Sequence, residues 1–342
     1  MEQLSGPLLD VRDLKTHFTM HDHVVRAVDG VDFHLGTGET LGIVGESGCG
    51  KSITSMSIMR LIPSPPGEIK SGVIEFNGEN LLEYSDDKMR KIRGNRISMI
   101  FQEPMTSLNP VFSVGHQISE VLMLHRGMGK KQALKESAKL LDMVGMSDPE
   151  ERVTEYPFQL SGGLRQRAMI AMAMACEPAI LIADEPTTAL DVTIQAQILR
   201  LMRDLKERHE TSIMFITHDL AVIANFTDRV MVMYAGKVVE SSTVRETFKH
   251  AAHPYTKGLL GSIPVLGEVK RSTDGVRKLL STIPGNLPDA KNFPKGCLFA
   301  SRCSQAMKKC SVAEPALTLL GAGHSVRCFL HGDAIERGDQ LK

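Results

Sequence analysis

One segment of the sequence contains the residue types that bind the phosphates of a nucleotide. It reads Gly45-Glu46-Ser47-Gly48-Cys49-Gly50-Lys51-Ser52 and fits the pattern G-x-x-x-x-G-K-[ST]. In such a loop the backbone N–H groups surround the phosphates, the lysine reaches the β- and γ-phosphates, and the hydroxyl binds Mg²⁺. We therefore predict that all eight residues bind a nucleotide and that Ser52 is also a magnesium ligand.

A second segment places a Ser-Gly-Gly sequence at the start of a predicted helix. It reads Leu160-Ser161-Gly162-Gly163-Leu164-Arg165-Gln166-Arg167. The N-terminus of a helix attracts anions, because its first N–H groups are unpaired and the helix dipole is positive there. One nucleotide does not need two such sites from one subunit. The two segments together therefore indicate more than an isolated phosphate site.

Polar side chains follow three short apolar segments at 97–101, 180–183 and 213–216. They are Gln102, the pair Asp184-Glu185, and His218. Ligands of open α/β sheets bind outside the carboxyl ends of the strands, so these side chains can converge on one nucleotide. Asp184 is suited to hold Mg²⁺ through a water, and Glu185 to polarise the attacking water. A helix cap is the alternative for the acidic pair and for His218.

The elements that must position these residues follow from hydrophobic periodicity. An apolar strand at 40–44 leads into the phosphate loop, and a helix follows at 52–61. Helical spacing also appears at 130–144, closed by Gly145, and at 191–209. Residues 230–240 are typical of a hairpin that turns at Gly236. Together these patterns predict an α/β fold.

The composition indicates a globular protein. The chain has 342 residues, of which 42% are hydrophobic and 23% are charged. It carries 40 basic and 40 acidic residues, so no net charge attracts nucleic acid. The sequence lacks a run of 18 apolar residues and a secretory signal pattern. We expect a soluble, cytosolic chain whose membrane role would need a partner that spans the bilayer.

The six cysteines fall into two groups. Cys49 and Cys176 lie in apolar surroundings, where a buried small hydrophobe is expected. The other four crowd the C-terminal part: Cys297, Cys303, Cys310 and Cys328. In a cytosolic chain such clustering favours a metal over disulfides. The spacing C-x5-C-x6-C-x17-C matches neither a zinc knuckle nor a ferredoxin run, so it leaves the choice of metal open.

The phosphate loop and the Ser-Gly-Gly segment together resemble the ATP-binding cassette (ABC) family. In that family the Ser-Gly-Gly of one subunit closes over the ATP held by another, and two subunits enclose two ATPs. The resemblance implies that Ser161, Gly162 and Gly163 bind ATP in trans. It implies a P-loop ABC ATPase at 1–240, with a RecA-like core, a helical subdomain at about 103–175 and an antiparallel β edge. A small Cys-rich extension follows at 241–342.

The ABC resemblance also assigns roles to single residues. It implies that His218 senses the γ-phosphate and that Gln102 contacts Mg²⁺ and water. It implies that Phe18 stacks on adenine, with a core phenylalanine as the alternative. The segment Thr188-Ala189-Leu190-Asp191 resembles the place where two subunits meet, which adds Asp191 to the predicted ATP site.

Further segments resemble the ATP-binding subunits of bacterial dipeptide/oligopeptide importers. They are Glu103-Pro104-Met105-Thr106-Ser107-Leu108-Asn109-Pro110, His253-Pro254-Tyr255-Thr256 and the four-cysteine region, where Ser304 replaces the usual proline. This resemblance implies a [4Fe–4S] cluster at the four cysteines, with zinc as the alternative. It implies a second, non-identical ATPase subunit, two permeases and a solute-binding protein as partners. It also implies a peripheral location on the cytoplasmic face of the cell membrane.

In such an importer, ATP-driven closure of the two ATPases drives alternating access in the permeases. We expect Glu103 to Asn109 to line the groove that receives a permease helix. One alternative is a soluble ABC ATPase of DNA repair or translation. Repair members insert a long coiled coil, and translation factors usually carry two cassettes; this sequence has neither pattern. The other alternative is an importer subunit for a nickel chelate or glutathione, since substrate specificity would lie in the partners.

Overall fold

Short buried strands alternate with helices along the chain. The structure, a computed structural model, describes residues 6–102, 107–188, 190–263, 282–321 and 323–332. The strands of these residues are β1 (Leu9–Thr19), β2 (Val24–Leu35), β3 (Thr40–Val44), β4 (Gly67–Phe76), β5 (Glu79–Asn80), β6 (Ile97–Ile100), β7 (Ile180–Asp184), β8 (Ser212–Ile216), β9 (Arg229–Tyr234), β10 (Lys237–Thr243), β11 (Thr318–Gly321) and β12 (His324–Val326). The helices are α1 (Lys51–Ile58), α2 (Asp86–Ile92), α3 (Val114–Arg126), α4 (Lys130–Met143), α5 (Pro149–Arg152), α6 (Gly162–Met174), α7 (Val192–His209), α8 (Leu220–Phe226), α9 (Val244–His250) and α10 (Pro254–Gly261).

An eight-stranded sheet lies at the centre, in the order β11-β12-β10-β9-β3-β8-β7-β6. β3 runs parallel to β8 and β9, and β7 runs parallel to β8 and β6. Every residue of β3, β7 and β8 is buried, as expected for parallel strands covered on both faces. The four predicted strands are therefore confirmed, and their carboxyl ends share one edge of the sheet.

A second sheet is antiparallel and has the order β2-β1-β4-β5. Its buried side chains, among them Leu9, Val31 and Ile74, pack with Ile43 and Met214 of the central sheet in one apolar cluster. This sheet is the predicted antiparallel β edge. It covers one face of the central sheet, and the phosphate loop follows β3 of that sheet.

Helices α3, α4 and α6 pack on one another through fully buried apolar side chains. Ser113 caps α3 by accepting a hydrogen bond from the N–H of His116. The helix predicted at 130–144 is α4, and Gly145 behind it has φ +73°, a conformation that favours glycine. No helix among the described residues has the length and apolar content needed to cross a bilayer.

The other predicted elements are present as well. β9 and β10 form the hairpin, with its turn at Ala235 and Gly236. The helix predicted at 191–209 is α7, which begins one residue later because Asp191 caps it. Cys49 and Cys176 are buried in the apolar interior, as expected.

The predicted domain boundary near residue 240 falls inside β10. This strand pairs with β9 on one side and with β12 on the other, so β11 and β12 of the predicted extension continue the central sheet. The division into 1–240 and 241–342 stays a prediction. Residues 103–106 of the predicted helical subdomain, and 264–281, 322 and 333–342 of the extension, lie outside the described residues.

A buried carboxylate joins β10 to the extension. Glu240 is inaccessible to solvent and accepts hydrogen bonds from the backbone N–H groups of Ala252 (2.7 Å) and His253 (2.9 Å). Its Oε1 also lies 2.9 Å from Nε2 of His324 in β12. These partners compensate the cost of burying the carboxylate. Glu240 therefore ties three separate segments together.

We predict that Glu240→Ala lowers the free energy of unfolding by about 3–5 kcal/mol, because it leaves two buried N–H groups and His324 without their acceptor. Urea denaturation followed by circular dichroism measures the change. Glu246→Ala is the matched control, because the side chain of Glu246 is exposed and pairs with His250 on α9, and the loss of such an exposed pair should leave the urea midpoint nearly unchanged. Equal midpoints for the two variants would contradict the structural role of Glu240.

Candidate nucleotide-binding site

The phosphate loop joins the carboxyl end of β3 to α1 and depends on two glycines. Gly45 has φ +156°, and a Cβ on it would overlap the carbonyl oxygen of Met233 and lie 2.6 Å from the Cys49 sulfur. Gly50 has φ +104°, and a Cβ there would overlap the carbonyl oxygen of Ala27. The loop therefore lies directly against neighbouring backbone, and its shape excludes side chains at both positions.

Lys51 is buried and held by its own loop. Its Nζ donates to the carbonyl oxygens of Gly45 (2.8 Å) and Glu46 (3.1 Å). These bonds use two of the three ammonium protons. The third proton points to the sulfur of Cys49, a long and weak contact at 3.9 Å. The ammonium group is thus fixed within the loop.

Ser52 and Asp184 form the predicted magnesium site. The Ser52 hydroxyl bonds the Asp184 carboxylate, and burial raises the pKa of Asp184 above its usual value. Within the described part of the chain, Oδ1 of Asp184 is buried without a hydrogen-bond partner. A buried acceptor without a donor is costly unless a ligand satisfies it. Mg²⁺ is typically held by one or two protein oxygens together with phosphates and waters, so these residues fit the ion.

Two predicted residues, Gln102 and His218, meet with Thr188 at the carboxylate of Glu185. Oε2 accepts hydrogen bonds from Nε2 of Gln102 (3.1 Å) and from the hydroxyl of Thr188 (2.9 Å). Oε1 lies 3.3 Å from Nδ1 of His218. The side chain of Glu185 is 12% exposed and that of His218 is 63% exposed. The carboxyl ends of β6, β7 and β8 thus deliver polar groups to one point, as their sequence positions predict.

The backbone of Glu185 is strained where it leaves β7. Its φ is +46°, and its N–H donates to the carbonyl oxygen of Ile216 at 2.9 Å. Non-glycine residues in this conformation are uncommon and cluster at functional sites. The tight turn also brings Thr188, three residues on, back to the carboxylate. The sequence pattern around Thr188 indicates a subunit contact and not this bond; the short turn after the strand is the signal that points to it.

The Ser-Gly-Gly segment lies on the surface of the helical part. Ser161 is exposed and caps α6 by accepting a hydrogen bond from the N–H of Leu164. A Cβ on Gly163 would lie 3.0 Å from Ile194 in α7, and one on Gly162 would lie 3.9 Å from Leu190. The segment therefore packs beside the start of α7, and its exposed end is open to a second molecule.

Two further predicted residues occupy strand and cap positions. Phe18 is half-buried on β1, paired with Val25 and Gly67, and its ring would lie 2.8 Å from a Cβ on Gly67. Stacking on adenine stays a prediction. Asp191 is exposed and accepts from the N–H groups of Thr193 and Ile194 as the cap of α7.

The four clustered cysteines share one cavity but not a coordination geometry. They are Cys297, Cys303, Cys310 and Cys328. Backbone N–H groups donate to the sulfurs of Cys303 and Cys310, each at 3.4 Å. No group of three His, Cys, Asp or Glu residues in the described ranges is placed to hold a metal ion. Burial raises the pKa of the Cys297 thiol to about 11. The predicted [4Fe–4S] cluster is not confirmed.

Comparison with known proteins agrees with the geometry of the site. Residues 28–188 match the family described as ABC transporter, and residues 239–310 match the family described as oligopeptide/dipeptide transporter, C-terminal region. The oligopeptide transport ATP-binding protein AppD of Bacillus subtilis (strain 168) is 53% identical over 324 residues, 95% of this chain and 97% of that protein. The dipeptide transport ATP-binding protein DppD of the same organism is 50% identical over 329 residues, 96% of each chain.

Solved structures include the dimeric, post-hydrolysis state of the ATP-binding cassette MJ0796 bound to ADP and Pi. It is 28% identical, with a TM-score of 0.62, and the match covers 69% of this chain and 99% of that one. The match covers nearly all of that cassette, so the matched part of this chain has the fold of an ATP-binding cassette. With relatives this similar over nearly its whole length, the chain belongs to the family of ATP-binding subunits of ABC transporters.

Proposed function

We propose that this chain hydrolyses ATP to drive an importer of oligopeptides or dipeptides. The convergence of Gln102, Thr188 and His218 on Glu185, next to the magnesium site, carries the proposal for hydrolysis. Peptide as the transported substrate is supported by the match of residues 239–310 and by the transport named for both relatives.

The chain's own residues account for each requirement of phosphoryl transfer to water. Lys51 would place its positive charge beside the phosphates, and the loop N–H groups would surround them. Ser52 and Asp184 would hold Mg²⁺, which would neutralise phosphate charge. Glu185 accepts the proton of the attacking water. Gln102 contacts Mg²⁺ and water, His218 senses the γ-phosphate, and both lie against the Glu185 carboxylate.

A second ATPase subunit completes the site in this proposal. Ser161, Gly162 and Gly163 cover the ATP of the partner, and Asp191 lies at the contact between subunits. The exposure of Ser161, Gly162 and Asp191 to solvent supports these roles, because a partner subunit can reach them there. The two subunits are related and non-identical in this proposal. Phe18 stacks on the adenine of the ATP bound by its own subunit.

The remaining partners are two permeases and a solute-binding protein, with the ATPases on the cytoplasmic face of the membrane. Exposed apolar side chains support permease docking: Phe101, Val111, Phe112 and Phe158 are 42%, 68%, 45% and 67% exposed. Phe101 and Val111 flank the segment predicted to receive a permease helix. Of that segment, Glu103 to Thr106 lie outside the described residues, and Leu108 is buried.

Glu185→Gln tests the proposed reaction in the complex of this chain with its partners. We expect hydrolysis to fall by about 10²–10⁴-fold, because an amide cannot accept the water proton, while ATP affinity is retained. Peptide-stimulated phosphate release and peptide uptake into vesicles should be lost together. Glu207→Gln, an exposed position on α7, is the control and should match the parent.

Near-normal hydrolysis by Glu185→Gln would show that this residue is not the base. Stimulation of hydrolysis by a nickel chelate instead of peptides would reject peptide as the substrate.

Asp184→Asn should have opposite effects on stability and on metal binding. Burial raises the pKa of the Asp184 carboxyl group. Such a group stabilises the fold only while it is protonated, and this contribution is lost as the pH rises through its pKa in the folded chain. The ionised side chain is therefore a cost to stability that asparagine removes. We expect a higher melting temperature for the nucleotide-free variant and about 10–100-fold weaker Mg²⁺-dependent ATP binding. A lower melting temperature would contradict the cost assigned to Asp184.

The four cysteines bind one metal centre in this proposal, an iron–sulfur cluster with zinc as the alternative. Support comes from their shared cavity and from the N–H donors to two sulfurs. Anaerobically purified protein should contain iron and acid-labile sulfide in equal amounts. Cys303→Ala should abolish both and lower yield or subunit assembly more than ATP turnover, whereas Cys176→Ala, a buried thiol elsewhere, should keep them. One zinc without iron would reject the cluster, and neither metal would reject the metal centre.

A further inference from the structure

A buried arginine of the C-terminal region reaches the phosphate loop. The side chain of Arg302 is 5% exposed, and one of its terminal nitrogens lies 2.9 Å from Oε2 of Glu46. Its Nε donates to the carbonyl oxygen of Pro284 at 2.8 Å, and its other terminal nitrogen donates to that of Ile283 at 3.4 Å. The guanidinium group therefore joins the segment at 283–302 to the first variable position of the loop.

A second side chain from this region holds the same loop residue. The backbone N–H of Glu46 donates to the hydroxyl of Tyr255, at 2.9 Å. Tyr255 is fully buried in α10. The carbonyl oxygen of Glu46 accepts from Nζ of Lys51. Glu46 is thus held at its N–H by Tyr255 and at its carboxylate by Arg302, while its carbonyl oxygen holds the lysine that reaches the phosphates.

An aromatic cluster makes this connection rigid. Tyr234 and Tyr255 pack with ring centroids 4.7 Å apart, and Phe299 lies 5.2 Å from the first and 5.4 Å from the second. The Arg302 guanidinium carbon lies 5.8 Å from the centre of the Tyr234 ring, within the range of a cation–π contact. Such packing allows little independent movement of Arg302, so a displacement of the 297–303 segment would be passed to Glu46.

We infer that Arg302 and Tyr255 are positioning residues for ATP: they fix Glu46, and through its carbonyl oxygen they fix Lys51 for the phosphates. Neither touches the nucleotide in this role. Arg302 directly precedes Cys303, so the same contact connects the cysteine cavity to the nucleotide site. The inference goes beyond the proposed function because it needs neither a metal at the cysteines nor a peptide as the transported substrate.

Nucleotide binding by the full-length chain tests this inference. The probe is a fluorescent ATP analogue with Mg²⁺, titrated against the parent and three variants: Glu46→Ala, Arg302→Met and Tyr255→Phe. We expect each variant to weaken binding about five- to tenfold, near the lower limit for loss of a hydrogen bond to a charged or buried group. In the transporter complex, the KM for ATP should rise by a similar factor while kcat changes less than twofold, as expected when binding rather than chemistry is disturbed.

A double-mutant cycle separates positioning from general destabilisation. The double variant Glu46→Ala/Arg302→Met should bind the nucleotide about as tightly as whichever single variant has the lower affinity. The reason is that both substitutions remove the same contact. Arg327→Met is the control: Arg327 also bonds a backbone carbonyl and pairs with Glu314 in this region, and it should alter the melting temperature without altering nucleotide affinity. Unchanged affinity in Glu46→Ala and Tyr255→Phe, additive effects in the double variant, or equal weakening by Arg327→Met would each overturn the inference. If Arg302→Met does not fold, the other two single variants still decide.

Discussion

The close contact between the phosphate loop and the backbone beside it is the constraint on which the site depends. Gly45 faces the carbonyl of Met233 in β9, and Gly50 faces the carbonyl of Ala27 in β2. Because neither position has room for a Cβ, the loop is held at both ends by two different sheets. Its carbonyl oxygens then stand where Lys51 can bond them, and Glu46 points towards the region around Tyr234, the residue that follows Met233. The close packing of the loop therefore determines both the shape of the nucleotide site and its contacts with the C-terminal region.

Two buried carboxylates show two ways in which the cost of removing a carboxylate from water is compensated, by hydrogen bonds within the protein or by a bound ligand. Glu240 has three partners, and its burial is compensated in the protein itself. Asp184 bonds Ser52, while its Oδ1 has no partner among the described residues and its pKa is raised by burial. A carboxylate held by complete hydrogen bonding stabilises the fold. One with an open oxygen at the end of a buried strand is stabilised fully only by a ligand, as a metal site requires.

Much of the fold and of the hydrolytic site could be predicted from local sequence. Continuous apolar runs predicted β3, β6, β7 and β8. Polar residues after the last three runs predicted Gln102, Glu185 and His218 as site residues, because parallel strands end at one edge of the sheet. The contact of Arg302 with Glu46 joins residues separated by 256 positions and has no local pattern. The cysteine spacing predicted that the four sulfurs come together, and they line one cavity, but spacing alone does not contain the burial of Cys297 that raises the pKa of its thiol.

The contacts around Glu185 connect the proposed base to the segment proposed to meet the permease. Gln102 and Thr188 donate to its carboxylate and His218 lies beside it, so three groups fix its orientation. A carboxylate has about four acceptor positions, so a water can reach it while these contacts are in place. Thr188 lies in the turn directly after β7 and His218 follows β8, whereas the backbone after Gln102 leads into the segment proposed to meet the permease. A displacement of that segment on docking would therefore reach Glu185 through Gln102.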